Sequence, residues 1–472
     1  MATRRAIGRA ATKNQYARIT LPTVGSANSP RTFVTAHQPR PARQSAFVSA
    51  RTEVAHQIQR TYASSTGASK TQLYDFHVSN GGKMVPFGGF LMPLQYSDLT
   101  IVDSHHWTRE KASIFDVSHM LQHELTGPGA ANFLASITPS SPKTTKPFHS
   151  GLSALLHPTG GIVDDTIITN LSSGWKERYY FVTNAGCRDK DLAFIQDHIH
   201  KWREDSRNGE VQWRTFTDYG LVALQGPLSA SILKSLKPTT AEQEPSNVDD
   251  LHFGQCKYLH LAGIDQPCLV SRGGYTGEDG FEISVPSSSS GTNNTLKLTE
   301  ALLQAGGKDK VRLAGLGARD SLRLEAGMCL YGHDIDDTTT PVEAGLSWIV
   351  AKDRLKDGGF NGADTIISQL KPKKDGGSGV TRRRVGLIIN DKAPAREGAA
   401  IVNEEGEEIG KVTSGCPSPT LGKNIAMGYI KSGMHKAGTE VGVVVRNKTR
   451  KATVSKMPFV PSKYWKGLSA GL

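Results

Sequence analysis

The sequence predicts an α+β protein that ends in a small β-rich domain, and three observations carry that expectation. Between residues 71 and 330, strand-like alternation and helix-like spacing follow one another irregularly, which suits α+β better than a doubly wound parallel sheet. The stretch "LKPKKDGGSGVTRRR" (370–384) has the composition of a linker. Beyond it come only short β segments between turn signals: "RRVGLIIN", "AAIVNEEGEEIGKVTSG", "NIAMGYI" and "EVGVVVRNKTRKATVSKM". That pattern predicts an antiparallel barrel or sandwich of about a hundred residues.

In chain order, the first segment is a leader. The first acidic residue is Glu53, and Arg4, Arg5, Arg9, Lys13, Arg18, Arg31, Arg40, Arg43 and Arg51 precede it among Ser, Thr and Ala. Dispersed basic residues without acids are the composition of a mitochondrial transit peptide, which we place at 1–62. The formal charge of the chain is +12; it falls to +3 once the ten basic residues and one acid of 1–62 are set aside. The nucleic-acid signal in the raw charge therefore leaves with the leader. Residues 71–98 are rich in glycine and aromatics and read as turns and short strands. Residues 103–113 read as a helix with Asp103 or Ser104 as N-cap. "VSHMLQHELTG" (117–127) alternates like a strand, and "GPGAANFLASI" then opens a helix. "RYYFVTNAG" (178–186) is β-rich, and 187–205 has the apolar spacing of an amphipathic helix. "LVALQGPLSASILKSL" (221–236) reads as strand, Gly-Pro turn and helix.

Several function classes are excluded. No apolar run is long enough to span a bilayer. The five cysteines are scattered without a C-x-x-C pair, which argues against a disulfide framework and a structural zinc site and for a reducing compartment. There is no Walker A sequence, no H-E-x-x-H, and "GLGARD" (315–320) fails as a dinucleotide fingerprint. No nucleotide, flavin or metal is expected. His105, His106 and His119 fit no standard metal spacing.

Three stretches stand out as candidate sites. "GGIVDDTIITN" (160–170) places two carboxylates side by side in a β-branched run. Successive strand residues face opposite ways, so Asp164 and Asp165 diverge, one to water and one to an interior where a carboxylate is expensive unless used. "SRGGYTGEDGFEIS" (271–284) reads either as a solvated hairpin loop or as glycine-rich backbone that approaches a ligand, with Tyr275 as a flat face and Glu282 on the strand beyond. "LGARDSLRLEAGMCLYG" (316–332) reads as a helix ending at Gly327, with Arg319 and Arg323 four apart. Its composition alone suits a salt-bridged surface face.

These stretches, together with "LYDFH", "IFDVSHM", "NAGC", "ALQGP", "TTPVEAGLSW", "VTSGCPSP" and "VSKMPFVP" in the same order, resemble the T-protein family of the glycine cleavage system, the mitochondrial aminomethyltransferases. The resemblance runs from about residue 71 to 466. It implies a three-lobed cloverleaf fold around a central folate site. We place two lobes in 63–370 and the β-rich third lobe, a barrel, in 376–472. It implies transfer of the one-carbon unit from an aminomethyl group on the lipoyl arm of H-protein to tetrahydrofolate. Ammonia is released and 5,10-methylenetetrahydrofolate is formed.

The site residues that follow are also implied by the resemblance. Asp165 is the catalytic carboxylate, which leaves Asp164 as the outward partner. Glu282 accepts the adjacent pterin N–H donors, Tyr275 supplies an aromatic face, Arg319 meets the glutamate tail, and Tyr464 lies at the ligand. Asn184, Trp348 and Arg383 carry over more weakly. The same fold also serves as a folate-binding iron–sulfur cluster assembly factor, but the K-G-C-x-x-G-Q-E signature of that class is missing, and "FGQCKYLH" is the nearest stretch. The FAD-linked relatives need a longer chain and a glycine fingerprint.

Overall fold

The computed structural model describes residues 67–261, 263–288 and 290–467. The expected leader, 1–62, lies outside them. Three sheets, a barrel and nine α-helices make up the described residues. A small sheet orders Ser69–Lys70, Phe90–Tyr96 and Gly82–Phe87. A six-stranded sheet runs Cys256–Leu259, Cys268–Arg272, Gly280–Val285, Gly220–Gln225, Ala112–Asp116 and Val311–Leu313. A five-stranded sheet runs His149–Leu156, Ile162–Asn170, Arg178–Thr183, Leu121–Thr126 and Gln212–Thr215. Most pairings are antiparallel, so the irregular alternation in the sequence reports an α+β fold.

The two larger sheets are joined by the short link Val117–Met120. A core of Phe115, Val117, Leu221, Ala223, Ala314, Ala318 and Leu322 lies there, with Met120 and Val182 packed on it. Ala318 and Leu322 belong to the helix Leu316–Glu325, whose Leu324 instead packs against Cys416, Ile425 and Met427 of the barrel. This helix is therefore apolar on two sides and sits between lobes. The surface reading of 316–332 is corrected: Arg323 is 3% exposed and Glu325 fully buried. Gly327, at φ +69°, ends the helix as the sequence predicts.

The C-terminal segment closes as a six-stranded barrel rather than a sandwich, in the order Arg382–Ile389, Lys423–Lys431, Glu408–Ser418, Ala400–Val402, Glu440–Val445 and Lys448–Ser455. Closure needs near contact between backbones. A Cβ on Gly410 would lie 1.9 Å from the Tyr429 carbonyl oxygen, which leaves room only for glycine. Two buried carboxylates tie the barrel to the helix. Glu325 accepts from Arg109 Nη2 (2.7 Å), Ser418 Oγ (2.5 Å), Thr420 N (3.1 Å) and Thr420 Oγ1 (2.8 Å). Asp334 accepts from Arg323 Nη1 (2.6 Å), Thr413 Oγ1 (2.6 Å) and Ser414 Oγ (2.9 Å).

Two local expectations change. The helix predicted at 103–113 spans Ile101–Glu110, and Thr100 is its N-cap, accepting from the Asp103 amide. Within 71–98 lies a short helix, Tyr74–Ser79, too brief for its periodicity to register in the sequence.

Candidate active site

Asp164 and Asp165 sit on the strand Ile162–Asn170, and the ladder to His149–Leu156 slips beside them. Leu155 pairs with Asp164 while Leu156 pairs with Ile162, which leaves Val163 as the extra residue of a bulge. Past the bulge, Asp165 lies opposite Ala154 and Asp164 opposite Leu155. The two carboxylates diverge as alternation demands, but the expected assignment of Asp164 to the outside is wrong. Asp164 is fully buried; Asp165 retains partial exposure. The reason is the layering. Helix Arg188–Glu204 covers the Asp164 face, so the more open side of the strand is the one that carries Asp165 and Ile167.

Asn184 clips the pair together. Its amide donates to Asp164 Oδ2 (2.7 Å), and its Nδ2 lies 2.8 Å from both Asp164 Oδ1 and Asp165 Oδ1. Burial and then the charge of Asp164 push the Asp165 carboxyl up to about 7, opposed by the bond from Asn184. A carboxyl poised there holds or releases a proton near neutral pH.

Glu282 comes from the six-stranded sheet, at mid-strand, opposite Ala223 on one side and Ser271 on the other. Burial raises its pKa, and the Arg319 guanidinium pulls it back. Arg319 is on the helix Leu316–Glu325, with its guanidinium carbon 4.8 Å from the centroid of the Tyr275 ring. Its Nη1 is buried and has no partner among the described residues. Burial lowers the Arg319 pKa, and Glu282 and Tyr275 raise it. Tyr275 donates its hydroxyl to the Cys329 carbonyl and lies in the fields of Arg323, Asp165 and Arg319; burial drives its own pKa upward. Asp165, Asn184, Glu282, Arg319 and Tyr275, from four separate stretches, thus form one constellation. Arg319 and Glu282, expected at opposite ends of a ligand, lie close enough for each to act on the other's charge.

The other expected residues lie apart. Tyr464 stacks on Phe253 with centroids 4.1 Å apart, in the field of Arg109 and Glu278, on a tail held by the Lys463 amide donating to the Gly277 carbonyl (2.8 Å). Trp348 is 65% exposed. Arg383 pairs with Ile430 in the barrel, and its charge is felt at His435. Neither enters the bonds and charges around Asp165.

Sequence reasoning passed over a second wall. His119 is 2% exposed, with the Phe87 ring at 5.5 Å and the Phe90 ring at 6.4 Å. Burial pushes it down to about 4, so it is neutral, and its Nδ1 has no partner among the described residues. Arg188 lies over Phe90 at 5.5 Å. The signal was the run "PFGGF": a Cβ on Gly88 would meet Ala185 Cβ at 2.9 Å, which brings this hairpin tip against the Asn184 turn. The three histidines weighed for a metal do not converge, since His105 bonds Ser321 (2.8 Å) and Thr420 (3.0 Å).

The comparisons with known proteins agree with this architecture. Residues 73–354 match the GCVT N-terminal domain and residues 382–461 the glycine cleavage T-protein C-terminal barrel domain. A probable mitochondrial aminomethyltransferase of Schizosaccharomyces pombe is 50% identical over 410 residues, covering 86% of this chain and 97% of that protein. The mitochondrial aminomethyltransferase of Flaveria anomala is 47% identical over 409 residues, covering 87% and 94%. The crystal structure of glycine cleavage system aminomethyltransferase T from Bartonella henselae aligns with a TM-score of 0.73 at 36% identity, covering 84% of this chain and all of that one. Fold, barrel and relatives define a transferase, an aminomethyltransferase of the mitochondrion. The chain belongs to the glycine cleavage T-protein family.

Proposed function

We propose that the chain takes an aminomethyl group from the lipoyl arm of H-protein, within the glycine cleavage system, and transfers its one-carbon unit to tetrahydrofolate, with residues 1–62 as the mitochondrial leader. The observation that carries this reading is the gathering of Asp165 and Arg319 around the Tyr275 ring, with Glu282 in the field of Arg319. Glu282 has no hydrogen-bond donor among the described residues' side-chain bonds, and Arg319 has an orphan N–H, so both are free for a polar, flat ligand. A pterin edge with adjacent N–H donors suits Glu282 as a bidentate acceptor. Arg319 opposes the upward push that burial gives that carboxylate, and Tyr275 limits the plane of the ring.

Asp165 has a different task. Loss of ammonia from a carbon bonded to sulfur and nitrogen develops positive charge at that carbon. A fixed carboxylate stabilises that charge in a site with little water, and Asn184 holds the carboxylate's angle. With a pKa near 7, Asp165 can also carry a proton between the departing amine and solvent. The alternative assembly-factor reading gains nothing at Cys256, which is buried in a strand with its thiol pushed up to about 12. The deciding experiment is a transfer assay with aminomethyl-loaded H-protein and tetrahydrofolate. Ammonia and methylenetetrahydrofolate should form in equal amounts, and failure to form either with the loaded carrier would sink this reading.

A further inference from the structure

Beneath Asp165 lies a buried group that the mechanism above does not use. Asp164, Cys187 and Asp191 bring their polar atoms within 4.8 Å of one another, and all three are buried. Asp191 comes from the first turns of the helix Arg188–Glu204 and is fully buried. Neither of its oxygens has a hydrogen-bond partner among the described residues. We propose that Asp164 and Asp191 share a single proton, carried on Asp191, with the negative charge on Asp164, and that this pair acts through Asn184 as a positioning and tuning device for Asp165.

Two charges in this spot would go uncompensated. The nearest cation, Lys190, is committed to Tyr331 Oη (2.5 Å) and Asp337 (3.1 Å), at the edge of the cluster. The Cys187 thiol is pushed upward by burial and by Asp164, so it is neutral and supplies no charge. On the other sides stand Asp165 from the same strand, Thr183 from the neighbouring strand, and Tyr331, none of them cationic. Like-charged carboxylates in one buried site cannot both ionise, and one holds a proton. Burial raises the proton affinity of both groups, and Asp191 raises that of Asp164 further.

The hydrogen bonds decide which group keeps the proton. Asp164 accepts two N–H bonds from Asn184, at 2.7 and 2.8 Å, and donors to the charged form favour that form. Asp191 makes no hydrogen bond of ordinary geometry, and, Asp164 aside, only the Thr183 hydroxyl and the Lys190 charge favour its charged form, so it is the better acid to remain protonated. The charge on Asp164 then does two things. It fixes Asn184, whose Nδ2 also meets Asp165, and it is the field that raises Asp165 toward neutrality.

This inference rests on the reading of Asp165 as the working carboxylate, and the test separates the two. Asp191→Asn is an isostere of protonated Asp191. Its infrared difference spectrum against the parent at pH about 8, above the ordinary carboxyl range, should show the loss of one buried carboxylic-acid carbonyl band. Its kcat should stay within about threefold of the parent and the midpoint of its pH profile should not move, because the charge on Asp164 is intact. Asp164→Asn turns a donor toward Asn184; kcat should fall about tenfold or more, with little change in the KM for tetrahydrofolate and a lower midpoint. The proposal is overturned if Asp191→Asn removes no acid band, or lowers the midpoint as Asp164→Asn does, because Asp191 would then be ionised. It is equally overturned if purified protein carries a stoichiometric metal that Asp191→Asn abolishes, because an ion would occupy the proton's place. If Asp165→Asn left transfer intact, the Asp165 reading would fall while the carbonyl band still reported on the shared proton.

Discussion

Replacing Asp165 by Asn should cost activity and add stability, and the two signs together distinguish a working carboxylate from a structural one. Asn keeps the shape and can still accept from Asn184 Nδ2, now at 2.8 Å from Asp165 Oδ1. Only the charge is removed. In the folded protein the Asp165 carboxyl sits at about 7, against an ordinary value of 3.8. Between those values the folded state holds a proton that the unfolded state has released. Stability therefore falls as pH rises through this window, and the penalty is fully present above about pH 7. Three units correspond to a ceiling of ~4 kcal/mol; partial exposure and relaxation around the group reduce this to ~1–2 kcal/mol. At pH 8 the variant should unfold at a higher urea concentration or a Tm higher by a few degrees, and the gain should vanish at pH 4. In the transfer assay its kcat should fall on the order of a hundredfold, with folate affinity little changed, because the charge acts on the transition state. A variant that turns over like the parent, or one that is destabilised at pH 8, would refute the reasoning, the second because it would make Asp165 a stabilising ion pair partner.

Other perturbations follow from the same geometry. Glu282→Gln replaces one acceptor with a donor and should weaken tetrahydrofolate by about ten- to a hundredfold in a direct titration, from ~1.5–3 kcal/mol of charge-assisted bonding; normal binding would make Glu282 a strand residue only. Arg319→Ala strips Glu282 of its cation, so folate Kd should rise at least about tenfold at pH 7 and the loss should be the same at low and high salt, since buried charges are weakly screened. If the loss instead shrinks with salt, Arg319 meets an exposed tail carboxylate. Glu325→Gln should cost ~1–3 kcal/mol in urea unfolding, because buried Arg109 loses the nearer of its two carboxylate partners and keeps only Glu278, at 3.1 Å. Hydrogen bonds hold Glu325 down at about 2, so its stabilising contribution is present above about pH 4.5 and is lost as pH falls toward 2; unfolding midpoints that do not respond to acid in that range would contradict it.

Sequence alone reached the class of fold because class depends on local periods, and those survive in a single chain. The barrel was legible from its turns and short alternating runs, and the helix Leu316–Glu325 from its length and its terminal Gly327. What the sequence could not give was which face of each element met which neighbour. Asp164 was read as outward because alternation supplies two faces and no information about what covers them; the helix Arg188–Glu204 covers one, and that is a tertiary fact. The charged face of 316–325 was read as solvated for the same reason. Arg323 is bonded to Asp334, and Arg319 lies over Tyr275 in the field of Glu282, residues whose sequence distances give no hint of contact. Of the site, the family resemblance supplied the names Asp165, Glu282, Arg319, Tyr275 and Asn184. It offered no account of Phe90, beside a hairpin tip read as turns and short strands, or of His119, in a link read as part of a strand.

The distribution of strain across the molecule argues that the site is held from behind. Four groups around it are kept away from the protonation behaviour they would prefer in water: Asp165 and Glu282 upward, His119 and Arg319 downward, each with burial as the largest cause. Each shift is a cost to folding. One helix carries the compensation. From Leu316 to Glu325 it sends Arg319 into the site, and from its next turns it sends Arg323 to Asp334 and Glu325 to Arg109, Ser418 and Thr420. Those bonds lower the pKa of both carboxyls and so stabilise the folded state at neutral pH. They also span the helix–barrel boundary. The barrel is thus more than an appended lobe. By fixing the register of the helix that bears Arg319, it holds the Glu282 charge partner against Tyr275 at a geometry the central sheets alone do not determine. Loosening the boundary at Glu325, far from any ligand atom, should therefore raise folate Kd as well as lower stability, and Glu325→Gln tests both in one variant. Folate affinity unchanged in a destabilised Glu325→Gln protein would show that the helix keeps its register without the barrel.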